Sequence, residues 1–253
     1  MGRAKARPRP EGRPTLGATL VTHTAARLRQ LLREAAEPQF HARQQSFSKE
    51  KIRSIGVRTP ALRRIAREAA REYRGARLRW ERIVAVAEAL WRGSIHEERL
   101  LAIEILARFG SRLDDWPRFD RWVDSLTNWA ETDGLSIYLL APMIGQRPER
   151  ARRLPAWTRG ASRWRRRAAA VALVPLARRG LHLEEAFAVC DRLASDRDDL
   201  VEKAVGWLLK EASRTEPRLV TEYLLKNRDQ LSRATLRYAC EKLPRGLRRR
   251  VLG

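Results

Sequence analysis

An all-α chain built from antiparallel helix pairs is what this sequence predicts, and three observations carry that reading. Strand signals are nearly absent: there is no Asn-Gly hairpin turn and no alternating run of β-branched residues. Apolar residues recur at helical spacing from about residue 17 onward. Helix start and stop residues punctuate the chain at short intervals.

The elements follow in order. Residues 1–14, MGRAKARPRPEGRP, are basic and proline-rich, bury little apolar surface and are expected to be disordered. The tail is placed at 1–16 and one helical domain at 17–253. The segment 59–70, TPALRRIAREAA, has Thr59 as N-cap and Pro60 at the first helical position, where a missing N–H costs nothing. The segment 94–110 opens with Ser94 and Glu97 at capping-box spacing and stops at Gly110. In 128–134, NWAETDG, Asn128 caps, Trp129 is the first helical residue and Glu131 takes the N3 position. A helix over 162–180 starts at Ser162 and ends at Gly180, and helices over 198–214 and 231–243 follow. Short amphipathic helices with short connectors point to a solenoid of stacked pairs with a concave basic face. HEAT-type repeats of this kind run roughly 40–47 residues, so about five or six would fit. No strict sequence repeat is visible, and a compact bundle is the alternative.

Charge points to the partner. The chain carries 53 Lys+Arg against 30 Asp+Glu, a formal charge of +23. Such an excess repels itself unless it meets a polyanion, with nucleic acid first and a membrane surface or ribosome second. Most of the cations are arginine, which suits planar phosphate recognition. Two distant cysteines, Cys190 and Cys240, suggest no disulfide framework and fit a reducing cytosol. The four histidines do not fall at zinc-ligand spacing with them, so no metal is expected. No apolar run is long enough to span a membrane, and the basic N-terminus lacks the apolar stretch of a secretory signal. There is no Gly-rich phosphate loop, no Walker lysine motif, and no Ser-His-Asp or Cys-His set. Any enzyme reading therefore rests on a carboxylate, aromatic rings and basic groups, without a cofactor.

Three positions stand out. At about 100° per residue, Trp129, Asp133, Ser136 and Leu140 share one stripe, so Asp133 lies among apolar groups. The helix N-terminus favours its ionised form. Asp133 either serves a cationic ligand or pairs with an arginine of a neighbouring helix. Trp207 lies off the apolar stripe of its helix (Val201, Ala204, Val205, Leu208, Ala212), between Lys203 and Lys210. It either packs on the next repeat or presents its ring to nucleic acid, with the lysines on phosphates. Arg165 and Arg166 point to solvent or phosphate, whereas Arg167 lines up with Trp164, Val171 and Val174 and needs an anionic partner, Asp133 or a phosphate.

These segments together resemble the AlkD family of DNA alkylation repair proteins, HEAT-like-repeat DNA glycosylases. IGVRTPALRRIARE (55–68) looks like the family's Gly-x-x-x-Pro-x-x-Arg segment, and HEERLLAIEIL (96–106) is similar to its third-helix region. NWAETD matches a Trp-x-x-x-Asp motif, WRRRAA (164–169) a Trp-x-x-Arg segment, and VEKAVGWLLK a Lys-Ala-x-Gly-Trp segment. The resemblance covers nearly the whole chain after the tail. It implies hydrolysis of the N-glycosidic bond of cationic N3- and N7-alkylated purines in duplex DNA, without base flipping. It implies Trp129, Asp133 and Trp207 as the catalytic set, and Arg58, Thr59, Arg167, Lys203 and Lys210 as DNA-binding residues. It also implies a cytoplasmic monomer with no obligate protein partner. Where the family can carry a second aromatic residue, just before Trp129, this chain has Asn128. Two other readings compete: a non-catalytic HEAT-repeat protein that binds damaged or branched DNA, and a protein scaffold.

Overall fold

The computed structural model describes residues 16–47 and 52–253. Residues 1–15 of the expected tail lie outside that range. Among the described residues sixteen α-helices follow one another: α1 Leu16–Glu34, α2 Pro38–Phe47, α3 Thr59–Gly75, α4 Trp80–Trp91, α5 His96–Ala107, α6 Trp116–Asp124, α7 Trp129–Leu135 and α8 Ala141–Gln146. Then come α9 Leu154–Trp157, α10 Arg163–Val171, α11 Val174–Ala177, α12 Leu183–Leu193, α13 Asp199–Ala212, α14 Pro217–Lys226, α15 Arg233–Ala239 and α16 Arg245–Leu252. Among the described residues the extended pairing amounts to one bridge, between Ala36 and Val57. The architecture is an all-α helical-repeat solenoid.

One row of helices organises it. α3, α5, α7, α10, α13 and α15 pack each against the next, and α1, α4, α6, α12 and α14 back that row. The buried side chains form one continuous cluster from Leu28 to Val251. Trp91 stacks on Trp122 at 4.0 Å, and Phe119 meets Trp122 edge-on. Full burial of each such side chain contributes about 1.5–3 kcal/mol.

Several helix starts follow from local chemistry. The side chains of Asn128, Ser162, Asp198 and Ser232 each accept a backbone N–H from the first turn of α7, α10, α13 and α15. Other expectations fail. Thr59 is the first residue of α3, not its cap; Arg58 holds the cap position without a side-chain bond. The Ser94–Glu97 capping box does not form, and α5 starts at His96 behind Ile95. Glu97 is instead buried and faces the loop before α3. Its carboxylate accepts from the Ser54 hydroxyl and from the backbone N–H groups of Ile55, Gly56 and Val57. The same helix ends at Ala107, before Gly110, which begins a short 3-10 turn. The helix expected over 162–180 breaks after Val171, because Pro175 has no N–H to bond back to it. Residues 231–243 are likewise divided, with a 3-10 turn from Cys240.

Removing the Glu97 carboxylate strands several buried donors at once. Glu97→Ala should cost about 3 kcal/mol of stability, read as a lower urea midpoint at unchanged slope. A loss below about 1 kcal/mol would show that water satisfies the loop just as well.

Candidate active site

The row of helices brings α7, α10, α13 and α15 side by side, and each delivers one part of an open cleft of about 860 Å³. α7 begins at the edge of the cleft because Asn128 caps it there, its Oδ1 accepting the Glu131 N–H at 3.0 Å. A buried cluster fixes that cap. His96 Nδ1 lies 3.1 Å from Glu131 Oε1, and Arg99 donates to Glu131 Oε2 at 3.1 Å. Burial works against the Glu131 carboxylate, yet His96, Arg99 and Asn128 together hold it below the usual range. Trp129, at the first helical position, stands 49% exposed, so it is no core ring.

One turn further on, Asp133 sits at the inner wall. Its two oxygens accept from Arg167 Nε at 2.8 Å and Nη2 at 2.9 Å, a bidentate pair between α7 and α10. The side chains are 16% and 8% exposed. Arg167 also donates to the Leu200 carbonyl, which ties α10 to α13. Of the two roles open to Asp133, the structure shows the arginine pairing and places the carboxylate on the cleft wall as well. Burial pushes its carboxyl above the usual aspartate range, against the pull of Arg167. That direction is opposite to the one expected from the helix N-terminus alone.

Below Asp133 the helix widens into a π-helical turn, Ser136–Leu140, just ahead of Pro142. Such turns often accompany functional sites. Ser136 and Leu140 are buried, so the expected stripe runs from the open cleft into the core.

Trp207 lines the cleft from α13, half-buried and packed on the core edge, and Lys203 lines it too, exposed and 3.9 Å from the Asp199 carboxylate. The structure thus brings together Trp129, Asp133, Arg167, Lys203 and Trp207. Arg58 and Thr59 lie outside the cleft, and Lys210 sits behind its edge, against Tyr238 and Glu241, which line it. Lys210 is 12% exposed, with its ammonium 4.0 Å from the Tyr238 ring centre and 3.5 Å from Glu241. Arg58 pairs with Glu37 at 2.8 Å and lies over the Phe40 ring, and Thr59 is exposed beside it at the start of α3. Arg165 and Arg166, expected in solvent or on phosphate, are bound within the fold: Arg165 to Asp120 and Asp124, Arg166 to Asp196.

Residue spacing gave no sign of Tyr238, Arg237 and Arg248, which also line the cleft. Tyr238 is there because of Gly206. A Cβ at Gly206 would meet Tyr238 Cδ1 at 3.0 Å and its Cβ at 3.1 Å, so the missing side chain lets α15 lie against α13. Among the described residues no group of His, Cys, Asp or Glu is arranged to hold a metal ion, and no helix is long and apolar enough to cross a membrane.

An all-α repeat chain with two indoles, four acids and four cations lining one cleft defines a class: helical-repeat proteins with a charged, indole-bearing cleft. Comparison with known proteins narrows the class. The profile of the DNA alkylation repair enzyme family matches residues 28–243, and the chain belongs to that family. Its fold is that of the AlkD-type proteins. A predicted DNA alkylation repair enzyme from Enterococcus faecalis superposes with a TM-score of 0.73 at 17% identity, over 83% of this chain and 97% of that one. AlkD2 from Streptococcus mutans gives 0.61 at 19% identity, over 88% and 99%. No curated protein matches the sequence.

Two glycines near the site should respond in opposite directions. Gly206→Ala forces α15 and Tyr238 outward and should cost about 1–3 kcal/mol. Gly134→Ala, whose nearest neighbour is Ile103 Cδ1 at 3.5 Å, should stabilise α7 by about 0.5–1 kcal/mol. Chemical denaturation of both variants checks the pair, and the same sign in both would contradict the packing described.

Proposed function

We propose that the protein is a monofunctional DNA glycosylase that hydrolyses the N-glycosidic bond of cationic N3- and N7-alkylated purines in duplex DNA. The observation that carries this reading is one open cleft that Asp133, held by Arg167, shares with two indoles, Trp129 and Trp207. In such a lesion the base already bears a positive charge. Breaking the bond from C1′ to the base nitrogen returns its electron pair to the base, which leaves neutral. Positive charge then builds on the sugar. Asp133 supplies the matching negative charge and orients the water whose oxygen bonds to C1′; the water's proton passes to the carboxylate or to solvent. Trp129 and Trp207 add cation–π attraction to the lesion and sugar. Arg167 fixes the carboxylate, and Lys203 reaches the flanking phosphate. An open cleft rather than a closed pocket fits a lesion that stays in the duplex, unlike base-flipping enzymes.

The chain would act as a cytoplasmic monomer, with 17–253 as one working unit and the tail as an added electrostatic contact. A second reading, favoured by the +23 charge, is a non-catalytic binder of damaged or branched DNA. A carboxylate on the cleft wall weighs against it, since an anion opposes a phosphate backbone.

Release of 7-methylguanine and 3-methyladenine from methylated duplex DNA separates the two. Wild type should release at least one, and Asp133→Asn should be slower by about 100-fold or more. Salt-sensitive binding with no release of either base by the wild type would leave the binder reading. The pH profile gives a separate check. The active carboxylate is ionised and burial raises its pKa, so activity should fall on acidification at a pH above the ordinary aspartate range. In Asp133→Asn that acid limb should vanish, and its persistence would assign it to another group.

A further inference from the structure

The turn out of α3 departs from the pattern at the end of α11. There the chain leaves the helix through Gly180 at φ +72, with the Leu181 N–H bonded to the Leu176 carbonyl at 3.0 Å. After α3 the same bonding recurs: the Leu78 N–H reaches the Tyr73 carbonyl at 2.8 Å, and the Arg77 N–H reaches Arg74 at 3.0 Å. Yet the left-handed residue is Arg77, at φ +50. Glycine takes this position at no steric cost and is the usual choice. A side chain kept there against strain points to a use for it.

Arg77 lines a second cavity of about 730 Å³, at the C-terminal ends of α3 and α5, on helices that take no part in the lesion cleft. Five guanidinium groups surround it, from Arg74, Arg77, Arg79, Arg108 and Arg112, against the single carboxylate of Glu81. Helix C-termini attract cations, but two helix ends do not call for five. Arg74 is held over the Phe109 ring at 4.8 Å and donates to the Arg108 carbonyl, while Arg108 pairs with Glu104 at 2.9 Å. Arg79 touches the exposed Glu81 at 3.4 Å. Arg77 and Arg112 form no ion pair among the described residues and are exposed at the cavity. Trp80, partly exposed, forms part of the wall with its ring 6.1 Å from Phe109. Free guanidinium groups beside an accessible indole match the two halves of an unpaired nucleotide, its phosphate and its base face.

We propose that this cavity binds single-stranded DNA, with phosphates on Arg77 and Arg112 and a base against Trp80. The rim arginines are spread over two helix ends, which suits successive phosphates of a strand better than one free nucleotide. The site is read by binding alone, so it stands or falls separately from the glycosylase reading.

The test is fluorescence anisotropy of the full chain with a labelled twelve-residue oligothymidylate over a salt series. Arg77→Gly removes the strain with the charge, so it should melt at a higher temperature than wild type. It should also bind the strand about fivefold more weakly, with a salt slope shallower by about 0.7. Arg112→Gln should weaken binding to a similar degree, and affinity for a blunt duplex should stay within about twofold. Lys226→Gln, at one of the exposed charges on α14, serves as the control. Equal losses in Lys226→Gln and Arg77→Gly, or no loss in an Arg77→Gly/Arg112→Gln double variant, would overturn the site. Displacement of the strand by micromolar dTMP would overturn a strand as its occupant.

Discussion

Each helix of the central row is pinned to the next by a polar contact near its N-terminal end, and the rest of the structure depends on that constraint. Glu97 of α5 holds the loop that leads into α3. Glu131 of α7 holds His96 and Arg99 of α5. Asp133 of α7 holds Arg167 of α10, Arg163 of α10 holds the Asp198 cap of α13, and Glu202 of α13 holds Ser232 before α15. Apolar contact between stacked helices tolerates sliding, because a leucine surface does not fix a register. Buried carboxylates do fix it, since a shift by one turn strands a charge in the core.

The Asp133–Arg167 pair has two roles in this series. As a pin it joins α7 to α10, and through the Leu200 carbonyl it reaches α13. On the cleft it leaves an oriented carboxylate whose neighbours on the wall come from α7, α13, α15 and α16. A charge in water would reorganise when a cation forms beside it. One clamped by a bidentate guanidinium is already aimed, which is where electrostatic catalysis gains its advantage. Burial also raises the Asp133 pKa, so the proposed activity would lose some acid tolerance. The basic excess is used in two ways. Among the described residues many arginines are internal pins, such as Arg150, Arg165, Arg166 and Arg167, while others, such as Arg77 and Arg112, are exposed.

How much of this was legible depended on how local the cause was. Asn128 and Ser162 were readable as helix starts because a cap acts within one turn of its own helix. Asp133, Arg167 and Trp207 were readable as anomalies: two charges on apolar stripes and an indole off one. Glu97 misled because its sequence spacing to Ser94 suits a capping box, while the fold gives it a loop to hold. For Lys210, helical spacing sets it beside Trp207 and says nothing of Tyr238 and Glu241 arriving from α15 and the turn after it. Arg165 and Arg166 misled for the same reason, since their acids lie some thirty to forty-five residues away in the chain. Tyr238 was out of reach altogether. Its place follows from Gly206, a residue notable only for what it lacks.

On the proposed function, one ion pair both registers the helices and arms the cleft. A double-mutant cycle on Asp133→Asn and Arg167→Gln, read in urea stability and in release of 7-methylguanine, tests it most directly. In stability the two changes should be strongly non-additive, with a coupling of about 2–3 kcal/mol, because either change alone leaves a buried partner stranded. In release, Arg167→Gln should keep measurable activity while both variants lacking Asp133 lose it. Additive stabilities, or full release without Asp133, would contradict the account.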